Sequence, residues 1–288
     1  MRRDALASAK VNLFLHVGPV EADGFHPLAS LVAFADLGDR LSVARADRLT
    51  LDVTGPFAAG LAGQDDNLVL GALRALGLAA GTGDLPLGIT LDKQLPIAAG
   101  LGGGSADAGA ALKLAREALD LPFDDEALAR IARIIGADGP MCLHARSAWA
   151  TGYGERLTFE RGLPPLPALL VNPGVPSSTG AVYRAYDAAP ANGADCPAPP
   201  PDWSRATVID WLAEQRNDLQ AAAVALQPAI GDTLTAVARL PGARLTRMSG
   251  SGATVFALFD TRDAADAAGH ILLQRHPDWW VRATTLGG

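Results

Sequence analysis

The chain has 288 residues, of which 49% are hydrophobic and 19% charged, so it can bury one large core or two smaller ones and is not disordered. Its formal net charge of −7 provides no general positive field, and we therefore expect no nucleic-acid partner. The sequence has neither a signal peptide nor an apolar segment of about 18 residues, which predicts a cytoplasmic protein without a membrane partner.

Hydrophobic periodicity predicts strands and helices along the whole chain. The predicted strands cover residues 7–17, 41–53, 87–91, 148–151, 168–171, 243–248, 253–259 and 279–284. The predicted helices cover residues 67–76, 105–119, 124–135, 206–212, 218–225, 228–240 and 261–274. This order of elements favours an α+β fold in two halves, with antiparallel sheet and helices on one face.

Proline marks two interruptions of these patterns. Residues 188–202 contain five prolines and can continue neither a helix nor a central strand, so we expect a surface loop or a linker there. Residues 158–167 include the string LPPLP, which breaks both periodicities. We therefore predict an N-terminal domain over residues 1–160 and a C-terminal domain over residues 161–288.

A glycine-rich segment at residues 95–108, LPIAAGLGGGSADA, carries the most chemical information. Glycine lets the main chain approach a ligand closely. A helix that begins at Ser105 would point free N–H groups and the positive end of its dipole at the same place. These features predict a phosphate-binding site, and the alternative is a tight turn that Ser105 caps.

Two common nucleotide-binding loops do not fit this segment. A P-loop needs a lysine after its second glycine, and residues 100–107 contain no lysine. The dinucleotide fingerprint needs a third glycine where this chain has Ser105. Both interpretations are therefore excluded by spacing.

Three segments together resemble the GHMP small-molecule kinases. They are the string PIAAGLGGGSAD at residues 96–107, AKVNL at residues 9–13 and MSGSGATVF at residues 248–256. The strings DGFHPL at residues 23–28 and IGADGP at residues 135–140 are similar to those of the family members that phosphorylate a cytidine diphosphate alcohol. The resemblance covers essentially the full chain.

The resemblance implies a fold, a reaction and a set of ligands. The N-terminal half would resemble the second domain of ribosomal protein S5, and the C-terminal half would be ferredoxin-like. ATP, with Mg²⁺, would phosphorylate the 2-hydroxyl of a cytidine diphosphate derivative of methylerythritol on the non-mevalonate route to isoprenoid precursors. The resemblance also implies a monomer or a weak homodimer.

Two residues are expected to carry the chemistry. Asp138 lies in the turn at residues 136–140, and the resemblance implies that it is the catalytic aspartate; the alternative is an aspartate that only ends a helix. Lys10 interrupts an apolar strand pattern, so it must face solvent or meet an anion. Next to Asp138 it would hold the carboxylate ionised and orient the hydroxyl or the transferring phosphoryl group.

The remaining site residues follow from the same resemblance. Cofactor-binding residues would be Asn67 beside adenine and, in the loop, Pro96, Ala98, Ala99, Gly100, Leu101, Gly102, Gly103, Gly104, Ser105 and Ala106. Substrate-binding residues would be Asn12, Phe25, His26, Tyr183, Ser249 and Gly250. No carboxylate cluster marks a metal cage, so phosphate oxygens and water would hold most of the Mg²⁺, with Ser105 as a possible ligand.

Several of these residues also have purely structural interpretations. Tyr183 could pack in a helix, and residues 249–252 could form a simple hairpin turn. Asp65 or Asp66 could cap the helix after Asn67. Phe25 stands where the resembling kinases usually have tyrosine, so a hydroxyl is lost while the stacking face is kept.

Two other functions remain open from the sequence alone. The chain could be another GHMP kinase, acting on a sugar, mevalonate or homoserine. It could also be a nucleotide sensor without catalysis, although a sensor would need neither Lys10 nor Asp138.

Overall fold

The structure is a computed structural model and describes residues 2–61, 67–190 and 193–287. The chain divides into two compact units, each assembled from three stretches. Unit 1 comprises Met1–Lys10, Leu37–Ile97 and Gly102–Ala145, and unit 2 comprises Val11–Asp36, Ala98–Leu101 and Arg146–Gly288. The division into domains 1–160 and 161–288 stays a prediction.

The described residues form strands and helices in both units. The strands are β1 (Arg3–Asn12), β2 (His16–Val17), β3 (Leu28–Arg45), β4 (Thr50–Thr54), β5 (Leu87–Asp92), β6 (Ala148–Gly152), β7 (Arg156–Phe159), β8 (Leu166–Asn172), β9 (Leu245–Met248), β10 (Val255–Leu258) and β11 (Trp280–Leu286). The helices are α1 (Leu68–Ala79), α2 (Gly103–Leu119), α3 (Asp125–Ile135), α4 (Gly139–His144), α5 (Thr179–Asp187), α6 (Arg205–Ala213), α7 (Gln220–Leu226), α8 (Pro228–Ala238) and α9 (Arg262–Arg275), with a 3₁₀ turn at Ala58–Leu61.

In unit 1, a small sheet and a group of four helices provide the framework. The last part of β3 pairs with β5 in antiparallel register, from Arg40 opposite Asp92 to Arg45 opposite Leu87. Strand β4 pairs with β5 in parallel register, so the sheet is mixed. Helices α1, α2, α3 and α4 pack against one another. Side chains of β5 are alternately buried and half-buried, as expected for a strand with one face on a core.

In unit 2, antiparallel pairing runs through most of the strands. Strand β8 lies between β10 and β11, and β9 pairs with the other edge of β10. All seven residues of β8 are buried. The first part of β3 pairs with β2 and β6, and β6 also pairs with β7. Apolar residues of β8, β10 and β11 form one core cluster with residues of α5, α7, α8 and α9.

These elements confirm the predicted α+β fold and correct it in detail. The strand predicted at residues 41–53 joins the end of β3 to β4, and β3 in fact begins at Leu28. Seven consecutive residues of β3 are buried, so its first half shows no alternation of polar and apolar residues. The elements α4, α5 and β7 were not predicted. Helix α4 has only six residues, which is too short for a periodic signal.

Among the described residues, no single helix has both the length and the apolar character needed to cross a membrane. One pair of helices joined at a sharp bend, α7 with α8, reaches that length and composition only in combination.

Candidate active site

In unit 1, the last residue of the glycine-rich loop, Gly102, leads directly into helix α2. The helix begins at Gly103, two residues before the predicted start, and its N-cap Gly102 has φ 62° with no side-chain capping bond. The first intrahelical acceptor is Gly102 O, which receives the N–H of Ala106 at 2.9 Å. Helix geometry therefore leaves the N–H groups of Gly103, Gly104 and Ser105 without intrahelical acceptors. Ser105 is the third helical residue and not the cap, so the turn capped by Ser105 is excluded.

An ion pair between a buried lysine and a partly exposed aspartate lies beside this helix start. Lys10 Nζ is 3.0 Å from Asp138 Oδ2, and the two side chains are 8% and 39% exposed. A Cβ on Gly102 would lie 3.2 Å from Lys10 Cβ and Cε and 3.3 Å from Cys142 Sγ. The left-handed backbone and this close approach both favour glycine at position 102. The structure thus brings Lys10, Asp138 and the start of α2 together within unit 1.

The position of Asp138 tests the interpretation that this aspartate only ends a helix. Asp138 precedes α4 and makes no capping bond with its side chain, so its carboxylate is directed to Lys10 and does not end a helix. The next residue must be glycine, because a Cβ on Gly139 would lie 2.1 Å from the carbonyl oxygen of Ala132. Close packing of α3 and α4 therefore fixes the backbone that presents Asp138.

A second charged cluster was not predicted from the sequence. Lys93 Nζ is 2.5 Å from Asp39 Oδ2 and 2.6 Å from Asp107 Oδ2, and all three side chains are buried. Asp39 Oδ1 also accepts the N–H groups of Gln94 and Leu95. A Cβ on Gly103 would lie 3.1 Å from Lys93 Nζ, so this cluster lies directly behind the first residue of α2.

Burial dominates the electrostatics of this cluster. Desolvation raises the pKa of Asp107 to about 7, although Lys93 opposes the shift. Burial alone would lower the pKa of Lys93, but the two carboxylates raise it above its ordinary value. Among the described residues, Asp107 Oδ1 is a buried oxygen without a hydrogen-bond partner. The sequence signal available for this cluster was the position of Lys93, a charged residue that lies shortly before the glycine-rich string beginning at Pro96.

A pocket adjoins the other side of the helix start. It has a volume of 260 Å³ and is lined by Asn67, Leu68, Gly71, Arg74, Ile134 and Ile135. Leu68 connects it to the loop, since a Cβ on Gly104 would lie 3.0 Å from Leu68 Cδ1. Asn67 is itself the N-cap of α1, because its side-chain oxygen accepts the N–H of Val69 at 2.9 Å. Asp65 and Asp66, the predicted alternative caps, lie outside the described residues.

In unit 2, the middle of the loop is held by residues far away in the sequence. Ser249 Oγ donates to Gly100 O at 2.9 Å, and a Cβ on Gly100 would lie 2.3 Å from Ser249 O. Ala98, which has φ 52°, accepts the N–H of Ser177, and Ala99 accepts the N–H of Thr254. These contacts fix the conformation of residues 98–101.

The turn at residues 249–254 forms the hairpin of its structural interpretation, and the substrate contacts expected of Ser249 and Gly250 stay a prediction. It connects β9 to β10 as a hairpin, and it packs against Gly100 as described. Asn217 supports it, because Asn217 Nδ2 donates to the carbonyls of Met248 and Gly250, each at 2.8 Å. Ser249 Oγ also accepts the N–H of Asn12 at 3.2 Å, and the Asn12 side chain donates to Ser30 Oγ.

The predicted loop residues differ in what they expose. Pro96, Ala99, Leu101 and Ala106 are buried, whereas Ala98 is exposed. The side chains of the buried residues are therefore not accessible to a nucleotide. Gly102, Gly103, Gly104 and Ser105 are all half-buried.

A second group of predicted residues meets around His26 in unit 2. His26 Nδ1 is 3.0 Å from Gly18 O, and Nε2 is 3.3 Å from Asp187 Oδ1. The Tyr183 ring lies 4.9 Å from the imidazole and also packs against the core cluster of unit 2, which confirms its packing role, while its contact with a substrate base stays a prediction. Asp187 was not predicted, and its position one turn after Tyr183 on α5 was the available signal.

The His26 side chain is thus fully engaged by the protein. A carbonyl oxygen only accepts, so Nδ1 carries a proton, and Nε2 faces a carboxylate. By contrast, within the described residues the main-chain N–H and C=O of His26 make no hydrogen bond. The neighbouring Phe25 side chain is 61% exposed. This segment therefore offers a donor, an acceptor and an open aromatic face.

Comparison with known proteins identifies the family. The model for the N-terminal domain of GHMP kinases matches residues 67–146, and the model for their C-terminal domain matches residues 206–278. A protein of Caulobacter sp. (strain K31), named 4-diphosphocytidyl-2-C-methyl-D-erythritol kinase, is 52% identical over 100% of this chain and 99% of its own length. The chain belongs to this family of GHMP kinases.

Other members of the GHMP kinase family support the assignment. A relative from Parvibaculum lavamentivorans, with the same name as the Caulobacter protein, is 45% identical over 98% of this chain and 97% of its own length. A crystal structure of 4-(cytidine 5'-diphospho)-2C-methyl-D-erythritol kinase is 35% identical, has a TM-score of 0.79 and covers 99% of this chain and 100% of its own. Homoserine kinase from Cytophaga hutchinsonii, at 18% identity and a TM-score of 0.63 over 97% of this chain and 94% of its own, shares the fold.

Proposed function

We propose that the chain is an ATP-dependent kinase that phosphorylates the 2-hydroxyl of 4-diphosphocytidyl-2-C-methyl-D-erythritol, giving the 2-phosphate and ADP. The observation that carries this proposal is the Lys10–Asp138 ion pair, 3.0 Å long, beside Gly102 at the start of α2. Its position matches the need for a base and a cation next to the phosphoryl donor. The names and high identity of the full-length relatives support the choice of acceptor.

The ion pair supplies the proton acceptor for the transfer. Asp138 would accept the proton of the substrate hydroxyl as the oxygen attacks the γ-phosphorus of ATP and ADP leaves. Lys10 would hold the Asp138 carboxylate in place and offset negative charge at the transferring group. Because Lys10 is almost fully buried and Asp138 is more exposed, the cation is fixed while the carboxylate remains accessible to substrate.

The start of α2 fits a phosphate group. Glycine at position 102 leaves room that a Cβ would fill, and the free N–H groups of the first helical turn point along the helix dipole. The 260 Å³ pocket that begins at Asn67 and Leu68 would hold the adenine. Within the described residues no group of three or more His, Cys, Asp or Glu side chains could hold a metal ion, so phosphate oxygens and water would supply most Mg²⁺ ligands, with Ser105 as the nearest hydroxyl of the helix start.

The His26 segment would bind the cytosine base. The unengaged main-chain N–H and C=O of His26 match the acceptor and donor on the edge of a cytosine, and Phe25 and Tyr183 would provide aromatic faces. The ring nitrogens of His26 are occupied by Gly18 and Asp187, so the imidazole would orient the segment. Asn12, Ser249 and Gly250, which are linked around one turn, would shape the binding site of the phosphorylated alcohol.

A coupled assay of ADP release tests the proposal. We expect turnover with 4-diphosphocytidyl-2-C-methyl-D-erythritol and none above background with mevalonate or homoserine at the same concentrations. Cytidine monophosphate should inhibit in competition with the alcohol and not with ATP. Turnover with mevalonate or homoserine alone would assign a different acceptor, and ATP binding without turnover on any of them would indicate a nucleotide sensor.

A further inference from the structure

Tyr153 occupies a position that the proposed reaction does not yet use. It begins the turn between β6 and β7, directly after Gly152, which pairs with Leu28 at the start of β3. The sheet register therefore places Tyr153 beside the segment that precedes Leu28, which contains Phe25 and His26. Gly152 has φ 70°, and the Tyr153 N–H donates to Glu155 Oε2 at 2.6 Å, so the position of the tyrosine is fixed by its own turn.

The Tyr153 hydroxyl lies between two carboxylates of a neighbouring turn. It is 2.8 Å from Glu21 Oε2 and 2.9 Å from Asp23 Oδ2. The carboxylates are acceptors only, so the phenol proton is shared between them. These bonds, with that to Glu21 the larger contribution, raise the pKa of Tyr153. The hydroxyl thus connects two like charges that would otherwise repel each other.

The same turn carries Phe25. Glu21 N–H donates to Phe25 O, Gly24 N–H donates to Glu21 O, and Asp23 Oδ1 accepts the N–H of Phe25. Gly24 has φ 84°, a conformation that glycine adopts without strain. The turn at residues 21–25 is therefore a compact unit, and holding its two carboxylates also holds the main chain of Phe25.

The Tyr153 ring completes the arrangement. Its centroid is 5.6 Å from that of Phe25, with 43° between the ring planes, which is within the range of favourable aromatic contacts. The Phe25 side chain is 61% exposed and has no polar atom of its own. Tyr153 therefore contacts Phe25 through its ring and fixes the Phe25 turn through its hydroxyl.

We propose that Tyr153 is a positioning residue for a pyrimidine nucleotide: it holds the Phe25 ring and the adjoining His26 main chain in the arrangement that binds the base. This inference rests on the proposed function, because it assumes that residues 25 and 26 bind the base. Tyr153 itself touches no reacting atom in this proposal, so it would affect the binding of the cytidine substrate and leave the phosphoryl transfer step unchanged.

Steady-state kinetics of Tyr153→Phe and Tyr153→Ala test the proposal. Loss of the hydroxyl in Tyr153→Phe should raise KM for the cytidine diphosphate alcohol about threefold to tenfold, the range expected for a partly exposed hydrogen bond to charged groups. Tyr153→Ala should raise it further, because the ring contact is also lost. The kcat and the KM for ATP should stay at wild-type values, and the Kd for cytidine monophosphate, measured by calorimetry, should rise in parallel.

A matched control and the other outcomes make the test decisive. Thr235→Val removes a hydroxyl that donates to Gly231 O on the exposed side of α8 and should change none of these constants. An unchanged KM for the cytidine substrate in Tyr153→Phe, or equal changes in kcat and in both KM values, would overturn the positioning role while the kinase function stands. Absence of turnover with the cytidine substrate in the wild type would instead overturn the proposed function and this inference with it.

Discussion

Lys10 and Asp138 form one ion pair, but the lysine is buried whereas the aspartate is partly exposed. Lys10 is enclosed by β1, Gly102 and Asp138, and a buried ammonium without its carboxylate would be strongly unfavourable. Asp138 keeps over a third of its side chain exposed. The position of the Lys10 side chain is therefore fixed by its surroundings, whereas Asp138 can contact a bound substrate while it keeps its ion pair with Lys10.

Asp138→Asn should separate catalysis from nucleotide binding. The amide keeps the shape of the side chain but no longer accepts a proton, so kcat should fall by about 10²- to 10⁴-fold, the range that general-base catalysis contributes. The Kd for ATP, measured by calorimetry, should change little. A kcat within threefold of wild type would remove Asp138 from the proton transfer.

Titration of His16 should make the free energy of unfolding depend on pH. His16 Nδ1 donates to Asp195 O at 2.9 Å, and Nε2 is buried without a partner among the described residues. Burial lowers the pKa of His16 below 6.5. The unfolded chain therefore binds a proton at His16 at a higher pH than the folded protein does.

The sign of the resulting pH dependence follows from this difference. As pH falls through 6.5, the unfolded state binds more protons at this site, so the free energy of unfolding should decrease. Urea denaturation between pH 7.5 and 5, at intervals of about half a unit, should show a shallower decrease in His16→Gln. His270→Gln, on the exposed face of α9, should retain the wild-type slope; equal slopes in all three proteins would contradict the assignment.

At the scale of elements, helix α2 begins under unusual conditions. Its first residue carries no side chain, its N-cap uses none, and Lys93 with two carboxylates lies behind it. When both carboxylates are ionised, the cluster holds one more negative than positive charge, and the positive end of the helix dipole is close enough to compensate part of the excess. Support for the loop thus comes from buried charges and not from a capping side chain.

Removing the cation of this cluster should lower the free energy of unfolding far more than removing one of its carboxylates. Lys93→Met leaves Asp39 and Asp107 buried without a counter-charge, and we expect a loss of about 3–5 kcal/mol in the free energy of unfolding. Asp107→Asn keeps the pair of Lys93 with Asp39, and it replaces a carboxyl whose pKa is already raised to about 7 by burial. The decrease in the free energy of unfolding of Asp107→Asn, measured by urea denaturation, should be clearly smaller. A decrease equal to that of Lys93→Met would contradict this account.

The elements show which parts of the fold the sequence encodes locally. Strand β5 and helix α3 were predicted closely because their burial follows the period of the element. Asp124, the first residue of the predicted helix, caps α3 by accepting the N–H of Ala127 at 2.7 Å. The start of β3 was missed because pairing with both β2 and β6 surrounds it. Its burial depends on distant segments, which local periodicity does not contain.

The candidate site likewise contains residues that the sequence predicts and contacts that it does not. Gly102 and Asp138 lie in contiguous motifs whose backbone chemistry is visible in the sequence. The contacts of Lys93 with Asp39 and of His26 with Asp187 join residues far apart in the chain. The positions of Lys93 and Asp187 mark them as neighbours of the motifs, but nothing in the sequence shows which distant residue each one contacts, so the contacts themselves could not be predicted.

For the whole molecule, net charge and ligand charge have the same sign. The chain carries −7, yet its proposed nucleotide substrates are polyanions. Attraction must therefore come from short-range groups, namely Lys10 and the N–H groups of α2, because long-range steering by net charge opposes the approach. Binding of such ligands should in turn stabilise the folded protein as a whole.

Thermal unfolding with and without ATP and Mg²⁺ measures this linkage. At about 100 times Kd a ligand adds about 2.7 kcal/mol, so Tm should rise by about 5 °C or more. Gly103→Val places a branched side chain against Lys93 Nζ and should reduce the shift, whatever its effect on the Tm of the free protein. Gly88→Val, in β5, makes only ordinary contacts and should keep the full shift. A full shift in Gly103→Val would contradict phosphate binding at the start of α2.

The pairing of β11 with β3 has a consequence for how the protein is made. Leu286 lies opposite Ala35, and β11 also pairs with one edge of β8, so a strand that is synthesised late joins a sheet begun by a strand that is synthesised early. All three stretches of unit 1 precede residue 146 and can leave the ribosome before the rest of unit 2 exists. Strands β2 and β6 can pair with the start of β3 early, but Ala35 must await β11, and chain closure over so long a loop is slow. A chain that lacks β11 should therefore expose the edge of β8 and be prone to aggregation.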